Sequence, residues 1–270
     1  MGASQPPGVA PTVGARIVHH EEEVMGTIVT IDLYGDSRVA HELYPTVQLA
    51  VESLHDADDV FSTWKPESPM SRLRRGEIDL ATAPVEVREV LEACEAAREL
   101  SQGWFDPWAL AGGVDPTGYV KGWAAQRALH LLLRTPVFGA VVNAAGDIAT
   151  FGFPAENSSF QVGITNPSAR KELIAIVAPN GCIATSGTYE RGPHLFDPHS
   201  GAFVSRLASA SVTGPDLGLA DAFATALAVA GSDFLSVIER MSEFEAFAVT
   251  DDGERQWTSG FPLVALASPR

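Results

Sequence analysis

Two oxygen-bearing side chains, Asp221 and Thr225, stand four residues apart in the run ADAFATALAVAG, Ala220 to Gly231. Its Ala and Leu content favours helix, and side chains spaced i,i+4 project from one helical face. A carboxylate and a hydroxyl placed this way can share one hard cation. Mg²⁺ takes oxygen ligands and keeps waters and substrate phosphates in its shell, so one Asp with a Thr hydroxyl or a backbone carbonyl is an ordinary protein contribution. Asp216 or Gly218 marks the expected helix start and Gly231 its end. Asp221 then falls in the first or second turn, near the end whose N–H groups and dipole favour phosphate oxygens. Spacing alone equally accommodates a plainer arrangement, in which Asp221 complements the dipole and Thr225 packs in the core.

A second stretch, GWFDPWALAGGVDPTGYVKGWA from Gly103 to Ala124, concentrates glycine, proline and tryptophan around Asp106 and Asp115 before a helix. Glycines ahead of a helix allow close backbone approach to phosphate, and Lys121 is expected in the first turn, where an ammonium can pair with one. Trp104, Phe105, Trp108 and Trp123 offer flat faces to a ring system. A Gly/Pro-rich loop with core aromatics is the simpler alternative. No GxGxxG or Walker sequence is present, so neither Rossmann nor P-loop binding has support.

Eighteen basic and 34 acidic residues in 270 give a net charge of −16, with no basic run or stripe. Duplex nucleic acid is a poor partner for such a surface, since neutralising its phosphates needs clustered Lys and Arg. A polyanionic small molecule must then be met by metal, helix ends and a few local cations. Cys94 and Cys182 are far apart and show no zinc or dithiol spacing, which suggests reduced core thiols. The first residues lack an apolar h-region and a lipobox-like cysteine, and no apolar run is long enough to span a bilayer. The expectation is a cytoplasmic chain without a membrane segment.

The elements that must position these residues are read from period and punctuation. Residues 1–16, rich in Gly, Pro and Ala, read as a disordered tail ahead of one domain over 17–270. TIVTIDL, Thr27 to Leu33, alternates as a half-buried strand. Helices are expected over 39–61, 84–100, 122–133 and 233–241, and the acidic cluster Asp56, Asp58 and Asp59 reads as a solvated helix end. Short β-rich runs between about 137 and 187 suggest an antiparallel sheet, and FEAFAVTDDGERQW a terminal hairpin. Strands and helices are segregated, which favours α+β.

Six segments occur in an order that resembles the ApbE family of FAD:protein FMN transferases: MGTIVTIDL from Met25, FSTWKPESPMSRL from Phe61, FDP then VDPTGYVKGWA from Phe105, VVNAAGDI from Val141, TSGTYERGPHLFDPHSG from Thr185 and ADAFATAL from Ala220. The resemblance covers residues 18 to 265. It implies a single α+β domain of antiparallel sheets flanked by helices, and Mg²⁺-dependent transfer of the FMN half of FAD to a Thr or Ser hydroxyl of an acceptor protein, with release of AMP. It further implies that Met25 and Trp64 flank the flavin, that Trp104, Phe105 and Asp106 line the FAD site, and that Asp115 and Lys121 lie near the nucleotide. Leu195 is expected to meet the cofactor through its backbone, and Asp221, Thr225 and the Gly118 carbonyl to hold the metal. His194 is the candidate general base or substrate-orienting group, with Asp197 as competitor unless its Asp-Pro pair only shapes a turn. The chain departs from the family in a shorter stretch between Asp106 and Asp115 and in Ala145 where NAGGD has a second glycine. The same residue set also suits an FAD pyrophosphatase giving FMN and AMP, or a non-catalytic FAD-binding protein.

Overall fold

Alternating apolar residues build an eight-stranded antiparallel sheet, seen in a computed structural model that describes residues 15–187, 195–204 and 206–267. Its strands run in the order β1 (Ala15–Val24), β2 (Thr27–Gly35), β3 (Gly139–Ala144), β4 (Asp147–Gly152), β7 (Cys182–Gly187), β10 (Ser209–Gly214), β11 (Glu245–Val249) and β12 (Arg255–Trp257). Two of its hairpins close in tight turns. Met25 (φ 54°) and Gly26 (φ 68°) join β1 to β2, and Ala145 (φ 52°) and Gly146 (φ 96°) join β3 to β4. Both central positions are left-handed, as a type I′ hairpin turn requires. The Gly146 N–H donates to Asn143 Oδ1 at 2.8 Å, and the turn delivers Asp147 to the first position of β4.

Because successive side chains point to opposite faces, the sheet buries two different sets. On one face Cys182, Ala184, Ala210, Val212, Ala246 and Ala248 join the core beneath the helices. On the other, Ile183, Phe247 and Val249 pack with a small sheet made of β5 (Val162–Asn166), β6 (Ala169–Val177) and β13 (Leu263–Leu266). The result is α+β: helices, large sheet, small sheet. The helical layer comprises α1 (Tyr44–Phe61), α2 (Pro69–Arg74), α3 (Val85–Leu100), α4 (Thr117–Leu132), α5 (Leu217–Ala230) and α6 (Leu235–Ile238); a two-stranded hairpin, β8 (Phe196–Asp197) and β9 (Ala202–Phe203), stands apart from both sheets.

Helix α5 is nearly all buried, and its alanines let α4 and the strands β7 and β10 approach closely. Asp216 caps it, accepting from Leu219 N–H at 2.8 Å, and Gly231 ends it at φ 88°. Gln126 of α4 clamps its start: the amide accepts from Leu217 N–H at 2.6 Å and donates to Pro215 O at 2.9 Å. The contact of α4 with α5 is set by Gly122, where a Cβ would stand 2.3 Å from the Leu217 carbonyl oxygen.

Several boundaries differ from the expected ones. The helix expected from residue 39 begins at Tyr44, because Pro45 sits in its first turn and the preceding Ser37–Glu42 winds as 3₁₀. Helix α4 begins at Thr117 rather than 122, its first turn anchored by Asp115 Oδ1 accepting from Thr117 N–H at 3.1 Å. Lys121 therefore lies in the second turn. The helix expected over 233–241 shrinks to a 3₁₀ turn, Ser232–Phe234, and the four residues of α6. Strand β1 carries HHEEE, a run whose pattern predicts no strand; residues 1–14 of the expected tail lie outside the described residues. Cys94 and Cys182 are buried free thiols, and burial pushes both up to about 12.

Candidate active site

Between the start of α4, the middle of α5, the end of α1 and the loop after α3 lies a cleft of about 980 Å³. Its lining includes Met25, Trp64, Trp104, Phe105, Asp106, Asp115, Gly118, Lys121, Leu195, Asp221 and Thr225. These residues come from separate stretches of the chain, and the fold brings them to one cavity. His194 lies outside the described residues. Trp108 and Trp123 are not among the cleft's lining residues: Trp108 is 40 % exposed, and Trp123 packs edge-on against Phe61 with Arg127 over its ring.

The floor of the cleft is where the electrostatics concentrate. Asp221 is 4 % exposed, and its Oδ2 has no hydrogen-bond partner. Burial first, and then the adjacent Asp147 charge, push its carboxyl well above the usual range, opposed by the Lys121 ammonium and the Gly122 amide. A buried carboxylate oxygen without a partner costs free energy, so its persistence points to a ligand. Thr225 stands one turn on, 3.3 Å from Ser186 Oγ of β7. Gly118 approaches so closely that a Cβ there would lie 3.5 Å from Thr225 Oγ1 and 3.3 Å from the Phe105 ring. Among the described residues no three His, Cys, Asp or Glu converge on one point. The donor set is instead one carboxylate with neutral oxygens, which fits a hard divalent cation that completes its shell from substrate phosphate and water.

Lys121 reaches into the cleft from α4 while its Nζ pairs with Asp147 Oδ2 at 2.5 Å. Asp147 is fully buried and its Oδ1 accepts from Thr185 N–H at 3.2 Å.

The aromatic wall has its own scaffold. Gln102 (φ 57°) and Gly103 (φ 80°) turn the chain out of α3, and the Gly103 N–H returns to Arg98 O at 2.8 Å. Trp104 follows at once. The His199 ring packs on it at 4.2 Å, and the Arg206 guanidinium lies over it at 5.3 Å. Arg206 also pairs with Asp197 Oδ2 at 2.9 Å and donates to the Val229 carbonyl at the end of α5. It thus satisfies an orphan helix carbonyl and braces the wall together. Asp197 is fully committed: its oxygens accept from the His199 and Ser200 amides, Ser200 Oγ and Arg206. Burial alone would raise its carboxyl, but these donors together hold it below the ordinary value. Asp197 therefore shapes the β8–β9 turn and is not a spare base.

Other expected residues serve the loop as well as the cleft. Asp106 accepts from Arg98 Nε at 3.0 Å and Trp108 N–H at 2.9 Å. Asp115 faces Arg74 at 3.7 Å besides capping α4. The Leu195 carbonyl is taken by Val204 N–H at 2.9 Å. At the mouth, Trp64 is 92 % exposed, so no packing demand explains an indole there. Nearby Lys65 is held by Asp58 and Asp59 at 2.6 Å each. Phe196, Lys65 and Asp58 also line the cleft, although sequence reasoning does not single them out for it. No local pattern marks them; only the closure of α1 and the β8–β9 hairpin on the cavity does.

Among the described residues no helix is long and apolar enough to cross a membrane. Comparison with known proteins gives a consistent result. The chain is 28% identical over 159 residues to the FAD:protein FMN transferase of Salmonella typhimurium, a match covering 54% of this chain and 45% of that protein. It is 31% identical over 150 residues to the FAD:protein FMN transferase of Rhodobacter capsulatus, covering 52% of this chain and 28% of the relative. Each match thus spans less than half the length of the curated relative. The fold superposes on the flavin transferase ApbE from Vibrio cholerae with a TM-score of 0.75 at 20% identity, covering 90% of this chain and 97% of that one. For the ApbE protein from Thermotoga maritima the TM-score is 0.77, again at 20% identity and the same coverage. The model of the ApbE family matches residues 25–112 and 110–248, and on that extent the chain belongs to the ApbE family.

Proposed function

We propose that this protein is a Mg²⁺-dependent FAD:protein FMN transferase, which moves the FMN half of FAD onto a Thr or Ser hydroxyl of an acceptor protein and releases AMP. One observation carries the reading most: the buried, unpartnered Asp221 Oδ2 beside Thr225 and Gly118, on the floor of a cleft walled by Trp104 and fronted by exposed Trp64. The relatives' names supply the substrate class.

In the reaction the acceptor oxygen forms a bond to the FMN phosphorus as the anhydride P–O bond breaks, and AMP departs with that oxygen. When bound, Mg²⁺ supplies neutralisation of charge on the phosphate oxygens. Asp221, Thr225 and the Gly118 carbonyl are the residues that would hold it. Lys121 adds a fixed positive charge where a phosphate must lie. Trp64, Met25 and Trp104 offer faces for the ring systems, and Phe105, buried against Gly118, seals the floor. The hydroxyl proton needs an acceptor, and His194 is the candidate.

Incubation of the protein with FAD, Mg²⁺ and a flavin-acceptor domain, followed by intact mass of the acceptor, tests the reading. An adduct of FMN mass on the acceptor, lost in EDTA, is expected. Free FMN and AMP with an unmodified acceptor would identify a pyrophosphatase, and unchanged FAD a binding protein.

A further inference from the structure

Between α1 and α2 the chain turns over residues 62–68, and the hub of that turn is Ser62. Its Oγ accepts from Trp64 N–H at 3.2 Å and from Lys65 N–H at 3.1 Å. Its carbonyl accepts from Ser68 Oγ at 2.5 Å and Ser71 Oγ at 3.0 Å, and both of those serines are buried. Its N–H closes the end of α1 on the Asp58 carbonyl at 3.0 Å. Further along, Ser68 N–H donates to the Lys65 carbonyl at 3.2 Å and Arg75 to the Pro66 carbonyl at 2.7 Å, while Asp58 and Asp59 hold the Lys65 ammonium. Within this tied frame the Trp64 indole is left uncovered at the cleft mouth. We propose that Ser62 is a positioning residue of the cleft: it fixes the backbone on which Trp64 stands, so that the indole meets the ring system of the bound dinucleotide from a preset place. This rests on the reading of the cleft as an FAD site that Trp64 borders.

Residue types explain the stiffness of the turn. A serine hydroxyl just past a helix can take up the backbone N–H groups that follow it, and Ser62 does so at the C-terminal end of α1. Pro66 and Pro69 fix their own φ angles on either side of Ser68, which caps α2 by accepting from Ser71 N–H at 2.9 Å. One carbonyl, that of Ser62, thus ties α1 to α2. The fold gains little from holding an exposed indole in place, because no packing depends on it. A ligand gains more. An aromatic side chain on a loose loop must have its backbone ordered at the moment of binding, whereas on a fixed backbone only its side-chain torsions remain to be frozen. Ser62 also lines the cleft. A direct bond from its hydroxyl to the ligand is therefore the rival account, and it makes a different prediction when Trp64 is absent.

Equilibrium dialysis of FAD against the full chain without acceptor, with intact FAD quantified by chromatography, tests this through a double-variant cycle. Trp64→Ala should weaken FAD binding about tenfold, the scale of one lost stacking partner. Ser62→Ala should weaken it about three- to tenfold, the scale of one aromatic side chain that must be ordered on binding. Ser62→Ala combined with Trp64→Ala should bind no more weakly than Trp64→Ala alone, and Ser62→Thr, which keeps the hydroxyl, should bind like the wild type. A Ser62→Ala variant within about twofold of wild type overturns the proposal. So does an equal loss from Ser62→Ala whether or not Trp64 is present, since a direct bond or a general loosening would act without the indole. Should Ser62→Ala not fold, Arg75→Met decides, because it frees the Pro66 carbonyl from the surface: its loss of affinity should appear only with Trp64 in place, and no loss, or the same loss in both backgrounds, overturns the proposal. Wild-type binding that Trp64→Ala leaves unchanged rejects the role of Ser62 and leaves the FAD site standing, whereas a wild type that binds no FAD rejects both.

Discussion

Asp221 is the residue at which stability and function pull in opposite directions. A carboxyl held in a dry pocket beside a second carboxylate destabilises the fold, and the Lys121 ammonium and the Gly122 amide offset only part of that cost. Asp221→Asn keeps the volume and removes the charge conflict. The metal-free variant should melt at the same temperature as wild type or higher, by about 2–4 °C for each kcal/mol relieved in a chain of this size. Its FMN transfer should fall by at least about a hundredfold, since charge neutralisation at phosphorus is worth several kcal/mol. Differential scanning fluorimetry in EDTA, set beside acceptor mass in Mg²⁺, checks both. A variant that melts well below wild type would mean that Asp221 serves the core. The i,i+4 pairing of Asp221 with Thr225 is visible in the sequence because helix periodicity is local. The pairing of Lys121 with Asp147 is not, because the two are brought together only when α4 packs on the β3–β4 turn.

At the scale of elements, the site depends on how closely α4 and α5 meet. Gly122 allows that approach, and Tyr119 lies flat where a Cβ on Gly218 would stand 2.7 Å from its ring. Gly122→Ala should cost about 1–3 kcal/mol, the scale of overpacking, despite the better helix propensity of Ala. Urea unfolding should show it as a lower midpoint with unchanged slope, and FAD binding should weaken in parallel as Gly118 is levered away from Thr225. The second brace is Arg206, which joins the end of α5 to Asp197 and Trp104. Asp197 is held below its ordinary value, so its contribution is present above the unfolded carboxylate range and lost as pH falls through its folded value. Arg206→Met should therefore lower the melting temperature more at about pH 7 than in acid below the folded titration of Asp197, where the ion pair is lost from the wild type as well. A difference constant across that range would assign Arg206 to packing alone. Elements with a strong local period are legible in the sequence: α1, α3, α5, β2 and the β11–β12 hairpin with its Asp-Gly turn. Strand β1 is hidden by His19, His20 and three glutamates. They suit a sheet edge with solvent beside it, and Glu22 is tied to His55 of α1 at 2.8 Å. The start of α4 escapes sequence reading because Pro116 and Gly118 read as loop, whereas the Asp115 contact to Thr117 N–H and the packing of α4 on α1, α5 and the sheet stabilise a helix there.

For the molecule as a whole, the relevant fact is a net charge of −16, because the proposed substrate, FAD, is itself an anion. Long-range repulsion lowers the encounter rate of such a pair, whereas the attraction of Lys121 and a bound cation acts only inside the cleft. The two effects differ in range, so salt separates them: the Debye length shrinks from about 30 Å near 10 mM to about 8 Å at 150 mM. Over that interval the diffuse repulsion is screened while the contacts at the cleft floor, within a few ångströms and partly desolvated, are affected less. The association rate constant of FAD in saturating Mg²⁺, followed by stopped-flow quenching of flavin fluorescence, should thus rise with NaCl, and the dissociation rate should change little. A fall in the association rate would show that the field at the cleft mouth is already positive, with Lys65 and Lys121 outweighing the acidic surface. The same logic bears on the acceptor protein. On the proposed transfer a hydroxyl is brought to the cleft floor past Trp64 and the Asp58–Lys65 pair, so an acceptor whose docking face is neutral or basic should be modified faster than an acidic one, and that preference should fade in high salt.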